Sequence, residues 1–133
     1  MYRYSISGGT VLARLAPPKG SFNNVSGVTT DADRSLFVSE LGEKKIYKFN
    51  PDGQVMREYQ MACQPYYMAI SGDWVEVSCD GKIVSLNKGT GEIRQAENEN
   101  GSPPSRATGL TYGPDSLLYV LDGASVVAYR VQR

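Results

Sequence analysis

The residues of this sequence that could contact a polar ligand occupy two kinds of loop position. Amide, phenol, guanidinium and hydroxyl groups lie where three predicted strands begin, and carboxyl and thiol groups lie where three others end. Polar side chains that converge at one opening are typical of a small-molecule site. The residues are Asn23, Asn24, Ser26, Tyr66, Tyr67, Arg106 and Thr108 at the strand starts, and Glu40, Cys79 and Asp122 at the strand ends.

The sequence contains no histidine, and this restricts the chemistry these residues could perform. Histidine is the commonest general base near neutral pH and the commonest metal ligand. Mechanisms that need a Ser-His or Cys-His pair, or a zinc ion held by histidines, are therefore excluded for these 133 residues. Carboxylates, tyrosines, lysines and oxygen-ligated cation sites remain.

Three segments of the chain align with one another, and their first residues, Gly27, Met68 and Gly109, are each 41 positions apart. A period of about 40–50 residues is typical of a propeller blade made of four strands. Each segment contains short runs rich in Val, Ile, Tyr and Phe separated by turn residues, without a helical apolar stripe. We predict an all-β chain, a β-propeller of four-stranded blades with about three blades per chain; the alternative is a β-sandwich. The predicted divisions of this single domain are residues 1–15, 27–59, 68–97 and 109–133.

The first repeat, GVTTDADRSLFVSELGEKKIYKFNPDGQV, resembles an NHL repeat, with its Gly-Val strand, its Asp-containing turn and its Asn-Pro-Asp-Gly turn. The resemblance implies a β-propeller, most often six-bladed in the NHL and lactonase-type relatives. Those relatives hold a divalent cation with Glu, Asn and Asp from the channel-lining strands. Here those strands begin at Gly27, Met68 and Gly109, so Asn24 is the only near match. Asp31-Ala32-Asp33 is interpreted as a turn between strands and not as a calcium loop.

The first 15 residues resemble the last two strands of a blade, and the last repeat stops after its third strand. An open arc exposes apolar blade faces and strand edges, which favours association. We therefore expect a homodimer that closes a six-bladed ring, since two-fold dimers are the commonest closed assemblies. One strand would be duplicated at each seam. The competing interpretation is a fragment of a longer propeller.

The function that the sequence favours is that of a non-catalytic module, which binds a small polar molecule or a protein at the channel mouth without a cofactor. The site residues would be Asn23, Asn24, Tyr66, Tyr67, Arg106 and Thr108, with Glu40 and Asp122. For Glu40 and Asp122 we expect turn capping in preference to ligand contact. The alternative is a metal-dependent lactonase-like hydrolase, with a divalent cation held by Asn24, Glu40 and Asp122.

Composition limits the partners and the location. Fourteen basic and fourteen acidic residues cancel, so the charge does not favour nucleic acid or an anionic membrane. No apolar run is long enough to cross a bilayer, and the first residues carry no signal-peptide core. These features predict a cytoplasmic protein. In that setting we expect Cys63 and Cys79 to be reduced and packed as small hydrophobic residues, although both lie toward one face of a blade.

Overall fold

The computed structural model describes residues 2–4, 11–96 and 104–133, and in this part of the chain all regular structure is β-strand. Thirteen strands form four antiparallel sheets in chain order. No described segment forms a helix of the length and apolar character that a membrane span requires. The all-β prediction is confirmed.

The strands of the four sheets follow one another without crossover. A two-stranded hairpin is followed by two four-stranded sheets and one three-stranded sheet, which we call blades 1, 2 and 3. The hairpin is β1 (Tyr2–Tyr4) and β2 (Val11–Arg14). Blade 1 is β3 (Val25–Thr30), β4 (Leu36–Glu40), β5 (Lys45–Phe49) and β6 (Val55–Gln60). Blade 2 is β7 (Pro65–Ser71), β8 (Trp74–Cys79), β9 (Lys82–Asn87) and β10 (Ile93–Gln95). Blade 3 is β11 (Ala107–Tyr112), β12 (Leu118–Asp122) and β13 (Ser125–Tyr129).

The turns have the chemistry that the sequence predicts. Asp31 to Ser35 joins β3 to β4, with the amide of Arg34 donating to the carbonyl of Asp31 at 2.9 Å. The Asp31-Ala32-Asp33 segment is thus part of a turn between strands. Asn50 closes the turn between β5 and β6 by accepting backbone hydrogen bonds from Asp52 and Gln54. Within the predicted divisions, residues 1 and 5–10 of the first and residue 97 of the third lie outside the described residues.

Side chains on the two sides of each blade pack against different neighbours. We call the side that faces the following blade the forward face, and the side that faces the preceding blade the backward face. Phe37 and Ile46 on the forward face of blade 1 share one buried cluster with Met68, Val75 and others on the backward face of blade 2. A second cluster joins the forward face of blade 2 to blade 3 through Ile83, Leu118, Val120 and Tyr129. A third covers part of the backward face of blade 1 with Leu15 and Phe22.

The joint between blades 2 and 3 also contains a buried carboxylate, Glu76. Its oxygens accept hydrogen bonds from the Tyr112 hydroxyl at 2.6 Å, from the Ser85 hydroxyl and from the Arg133 guanidinium at 2.8 and 3.0 Å. Burial is the main cause that raises the pKa of Tyr112 far above its usual value, and the hydrogen bond to Glu76 is the second cause. The phenol therefore stays protonated and remains a donor. Arg133 also lies 4.7 Å from the centre of the Trp74 ring. The charge is therefore fully partnered, as a buried carboxylate requires.

Replacing Arg133 by alanine should destabilise the chain by about 3 kcal/mol, the low end for breaking a buried pair, because Arg133 keeps some contact with solvent. Urea unfolding followed by circular dichroism would measure the change. Arg94→Ala is the matched control, because Arg94 also lies over Trp74 but pairs with the exposed Glu92. It should cost less than about 1 kcal/mol. Adding Glu76→Gln to Arg133→Ala should restore part of the loss, and a further loss of stability would contradict this role for Arg133.

Candidate functional site

A groove of about 460 Å³ opens where the strand starts of blades 2 and 3 meet the turn between β8 and β9. Tyr66 and Tyr67 contribute one side, and the segment leading into β11 contributes the other. The lining residues are Tyr66, Tyr67, Asp80, Gly81, Ser105, Arg106, Ala107 and Thr108. We call this space the ligand groove. It combines aromatic surface with charges of both signs.

The floor of the ligand groove is held by backbone contacts between blades 2 and 3. Asp80 and Gly81 form a two-residue hairpin turn, with φ values of 51° and 84°. Positive φ at both positions is the requirement of a type I′ turn, which Asp-Gly meets well. The Gly81 carbonyl accepts the amide of Ala107 at 2.8 Å, and the bare Gly81 Cα lets the Ser105 carbonyl approach. The turn therefore fixes the entry of β11 and the opposite wall together.

Two serine hydroxyls hold the strand starts of consecutive blades. Ser39 on β4 donates to the carbonyl of Tyr66 at 2.7 Å, and Ser78 on β8 donates to the carbonyl of Ala107 at 2.6 Å. Ser39 and Ser78 occupy equivalent positions, each next to the last residue of its strand. Both hydroxyls lie in buried surroundings, where such bonds keep the strand starts in register. Tyr66 and Thr108 are positioned in this way.

The Arg106 guanidinium lies over the turn between β12 and β13. A Cβ atom on Gly123 would come within 2.4 Å of a guanidinium nitrogen, so the bare glycine provides the space for this side chain. The backbone amide of Arg106 donates to Asp122 at 2.9 Å, and its carbonyl accepts the amide of Gly123 at 3.2 Å. Among the described residues, no carboxylate forms an ion pair with this guanidinium. An exposed, positioned guanidinium of this kind can receive an anionic group.

Tyr66 and Tyr67 present their rings side by side, with centroids 6.3 Å apart and planes tilted by 38°. Tyr67 is exposed and Tyr66 half-buried. Thr108 is exposed, and within the described part of the chain its hydroxyl makes a single 3.5 Å contact, to the carbonyl of Leu121. These groups offer aromatic surface and hydroxyl donors in the groove that Arg106 also lines, which suits a small polar ligand with a planar group.

Glu40 caps the loops at one end of blade 1. Its two oxygens accept backbone hydrogen bonds from Asn24 at 2.5 Å, from Gly42 at 3.2 Å and from Glu43 at 2.8 Å. The carbonyl of Asn24 also accepts the amide of Leu41 at 2.8 Å. Asn23 packs on the bare Cα of Gly42 and lines a separate groove of about 220 Å³ with Leu15 and Phe22. Asn23, Asn24 and Glu40 thus lie apart from the ligand groove.

Asp122 has the same arrangement in blade 3. One oxygen accepts the amide of Arg106, and the other lies 3.4 Å from the Tyr129 hydroxyl. Burial, with a smaller contribution from the Asp122 charge, raises the pKa of Tyr129. Glu40 and Asp122 both have the geometry of loop caps, as the turn-capping interpretation expects. No group of three or more Cys, Asp or Glu side chains that could hold a metal ion occurs in the described ranges.

In blade 2 a disulfide occupies the equivalent place. Cys79 ends β8 as Glu40 ends β4 and Asp122 ends β12, and its sulfur is bonded to Cys63 just before β7. The expectation that both cysteines are reduced is therefore wrong in this structure. The Cα atoms lie 5.5 Å apart, because the strand pairing of Pro65 with Cys79 brings the segment before β7 alongside the end of β8. The sequence predicted that both residues lie toward one face, but it gave neither the distance between their sulfur atoms nor the redox state of the compartment.

Four of the eight predicted site residues, Tyr66, Tyr67, Arg106 and Thr108, line the ligand groove, and their binding role stays a prediction. Asn23, Asn24 and Glu40 cluster in blade 1, and Asp122 lies beneath the Arg106 backbone. Asp80, Gly81 and Ser105 also line the groove and were not predicted. The Asp-Gly pair between two apolar runs is a strong hairpin signal. This hairpin signal could have predicted that Asp80 lies at the same end of the blade as the ligand groove.

Comparison with known proteins gives structural neighbours only. No family model matches the chain, and no curated protein matches it in sequence. Virginiamycin B lyase from Staphylococcus aureus superposes with a TM-score of 0.69 at 17% identity, over 98% of this chain and 46% of that one. The extracellular domain of a putative one-component system from B. thetaiotaomicron gives 0.72 at 15% identity, over 98% and 21%. Glutaminyl cyclase from Myxococcus xanthus gives 0.67 at 14% identity, over 96% and 55%.

These likenesses, with the succession of antiparallel sheets, establish a β-propeller-type fold. The chain spans about half, or less, of the length of these three neighbours. The virginiamycin B lyase has also been solved as a catalytically inactive histidine-to-alanine variant with quinupristin. The 133 residues of this chain contain no histidine.

The disulfide should make both cysteines unreactive to Ellman's reagent in the folded chain and in the chain unfolded without reductant. Opening it should lower the unfolding free energy by about 3 kcal/mol, as expected for a loop of some 15 residues. Urea unfolding of Cys63→Ser/Cys79→Ser beside the wild type would measure this loss. Two titratable thiols in freshly isolated protein would contradict the bridge.

Proposed function

We propose that this chain is a non-catalytic binding module of the propeller type and that the ligand groove is its recognition site. The observation that carries the proposal is that Arg106, whose exposed side chain no described carboxylate neutralises, lines the same groove as Tyr66 and Tyr67. Desolvated aromatic surface combined with a few directed polar groups is the usual composition of a small-molecule site.

The groove chemistry indicates the class of ligand. A guanidinium binds a carboxylate through paired hydrogen bonds, and tyrosine rings accept a planar group. Asp80, in the turn at the floor of the groove, would repel a second anion and attract a cationic or donor group. A small planar molecule with one carboxylate and one cationic or donor group fits all three features, and aromatic amino acids are the simplest probes of this class.

The proposal differs from the chemistry of the neighbours. An activity that depends on a histidine, as the inactive lyase variant indicates for that enzyme, has no equivalent side chain within these 133 residues. The carboxylates of the hydrolase alternative accept backbone hydrogen bonds in different blades. The disulfide favours an oxidising compartment over the cytoplasmic location expected from the sequence.

Isothermal titration with L-phenylalanine and L-tyrosine, each compared with its methyl ester, would test the ligand class. The free carboxylates should bind and the esters should not. Arg106→Gln should weaken binding roughly 10–100-fold, the value of a charge-assisted hydrogen bond. Arg34→Gln is the control, because Arg34 is an exposed arginine in the turn between β3 and β4. Equal binding of acids and esters, or equal loss in both variants, would contradict the assignment.

Divalent cations separate the module from the hydrolase alternative. Calcium, magnesium and zinc should leave the thermal unfolding midpoint unchanged, because a site that binds only the folded state would raise it. A substantial rise with one of these ions, removed by Glu40→Gln, would favour the metal-dependent hydrolase.

A further inference from the structure

Three residues at the ends of the arc, Val28, Leu121 and Val126, are apolar and exposed, whereas the residues at the equivalent positions inside the chain's own blade joints are buried. Strand pairing makes these positions comparable. Val28 pairs with Val38 as Met68 pairs with Val77, so Val28 and Met68 are equivalent residues on backward faces. Met68 is buried against blade 1, whereas 55% of Val28 is exposed.

The forward face of blade 3 shows the complementary pattern. Val126 pairs with Leu121 as Ile46 pairs with Ser39 and as Ile83 pairs with Ser78. All four residues on blades 1 and 2 are buried. By contrast, 69% of Val126 and 47% of Leu121 are exposed, along a shallow apolar groove of about 300 Å³.

A glycine on the same face points to a backbone as the missing neighbour. Gly27 pairs with Ser39 on the forward face of blade 1, where a Cβ atom would collide with the Tyr66 carbonyl of blade 2. Gly109 pairs with Leu121 in the same way on blade 3, and there the three atoms nearest to a Cβ would belong to the Leu121 side chain. The forward face of blade 3 therefore repeats the glycine that lets blade 2 approach blade 1.

We propose that the forward face of blade 3 packs on the backward face of blade 1 of a second copy of this chain, and that two such joints close a ring of two chains. Val28 and Val126 then occupy the environments that Met68 and Ile46 occupy inside the chain. Leu121 replaces the serine of the internal joints, so this joint has an apolar contact where the internal joints have a hydroxyl hydrogen bond. The lengths of two of the three neighbours agree with this, because one copy spans 46% and 55% of them; the third neighbour is longer, and one copy spans 21% of it. This joint shares no lining residue with the ligand groove, so the proposed dimer and the proposed ligand binding can be tested independently.

Sedimentation equilibrium of the wild-type chain should give about twice its 14.5 kDa mass. Val126→Lys should give a folded monomer, because a lysine would be buried in the joint without a partner. Ser125→Lys is the matched control, since it adds the same charge one residue earlier on the opposite side of β13. It should remain dimeric. Far-UV circular dichroism checks that both variants are folded.

A mixing experiment tests which faces meet. Ile46 and Met68, the equivalents of Val126 and Val28, share one buried cluster, so the two variant positions should be neighbours across the joint. Val28→Glu alone should also be monomeric. A mixture of Val126→Lys and Val28→Glu should dimerise, because one joint then carries a lysine–glutamate pair and the other is wild type.

Three results would overturn the proposal: a wild-type monomer at 100 μM or above, dimers in all variants, or a mixture that stays monomeric. A mass that grows continuously with concentration would contradict ring closure, because it indicates an open head-to-tail chain.

Discussion

The joint between one blade and the strand start of the next is the constraint on which this structure depends. A serine hydroxyl near the end of β4 or β8 binds a carbonyl at the entry of the following blade, and bare glycine Cα atoms permit the approach. Buried hydroxyls must be bonded to avoid an uncompensated desolvation cost. These bonds fix the starts of blades 2 and 3 against the preceding blade, and the remaining strands of each blade add apolar contacts. The ligand groove is a consequence, since it opens directly above one of these bonds.

The ends of the three equivalent strands β4, β8 and β12 are each joined to the segment before the first strand of their blade, in two different ways. In blades 1 and 3 the carboxylate at the end of the second strand accepts a hydrogen bond from the backbone amide of the residue that precedes the first strand. In blade 2 a disulfide ties the same two segments covalently. A carboxylate cap holds one loop against another reversibly, whereas a disulfide mainly restricts the unfolded chain. The disulfide joins the segments that lead to Tyr66 and Asp80, so the covalent tie is in the blade that contributes half of the residues lining the ligand groove.

The fold could be predicted because its signals are local and repeated. Turn residues such as Asn50 and Asp33 act within a few positions of themselves, and apolar alternation depends only on strand period. Four groove residues were also foreseeable, since their position relative to a strand start sets the face on which they lie. The partner of Glu76 could not be foreseen, because Arg133 reaches it from 57 positions away in the sequence. Neither could the thiol state, which depends on a distance and a compartment that spacing alone does not give.

The two internal joints differ in polarity, and the difference bears on how blades recognise their neighbours. The joint between blades 1 and 2 combines apolar side chains such as Phe37 and Val77 with a partly buried ion pair between Asp31 and Lys88. The joint between blades 2 and 3 buries Glu76 with Tyr112 and Arg133. A buried charge penalises every neighbour that lacks its partners, whereas an apolar surface accepts any neighbour of suitable shape. The forward face of blade 2 is therefore restricted to blade 3. The forward face of blade 3 presents Leu121 and Val126 and has no buried charge among its described residues, so an apolar blade face would suffice as its neighbour.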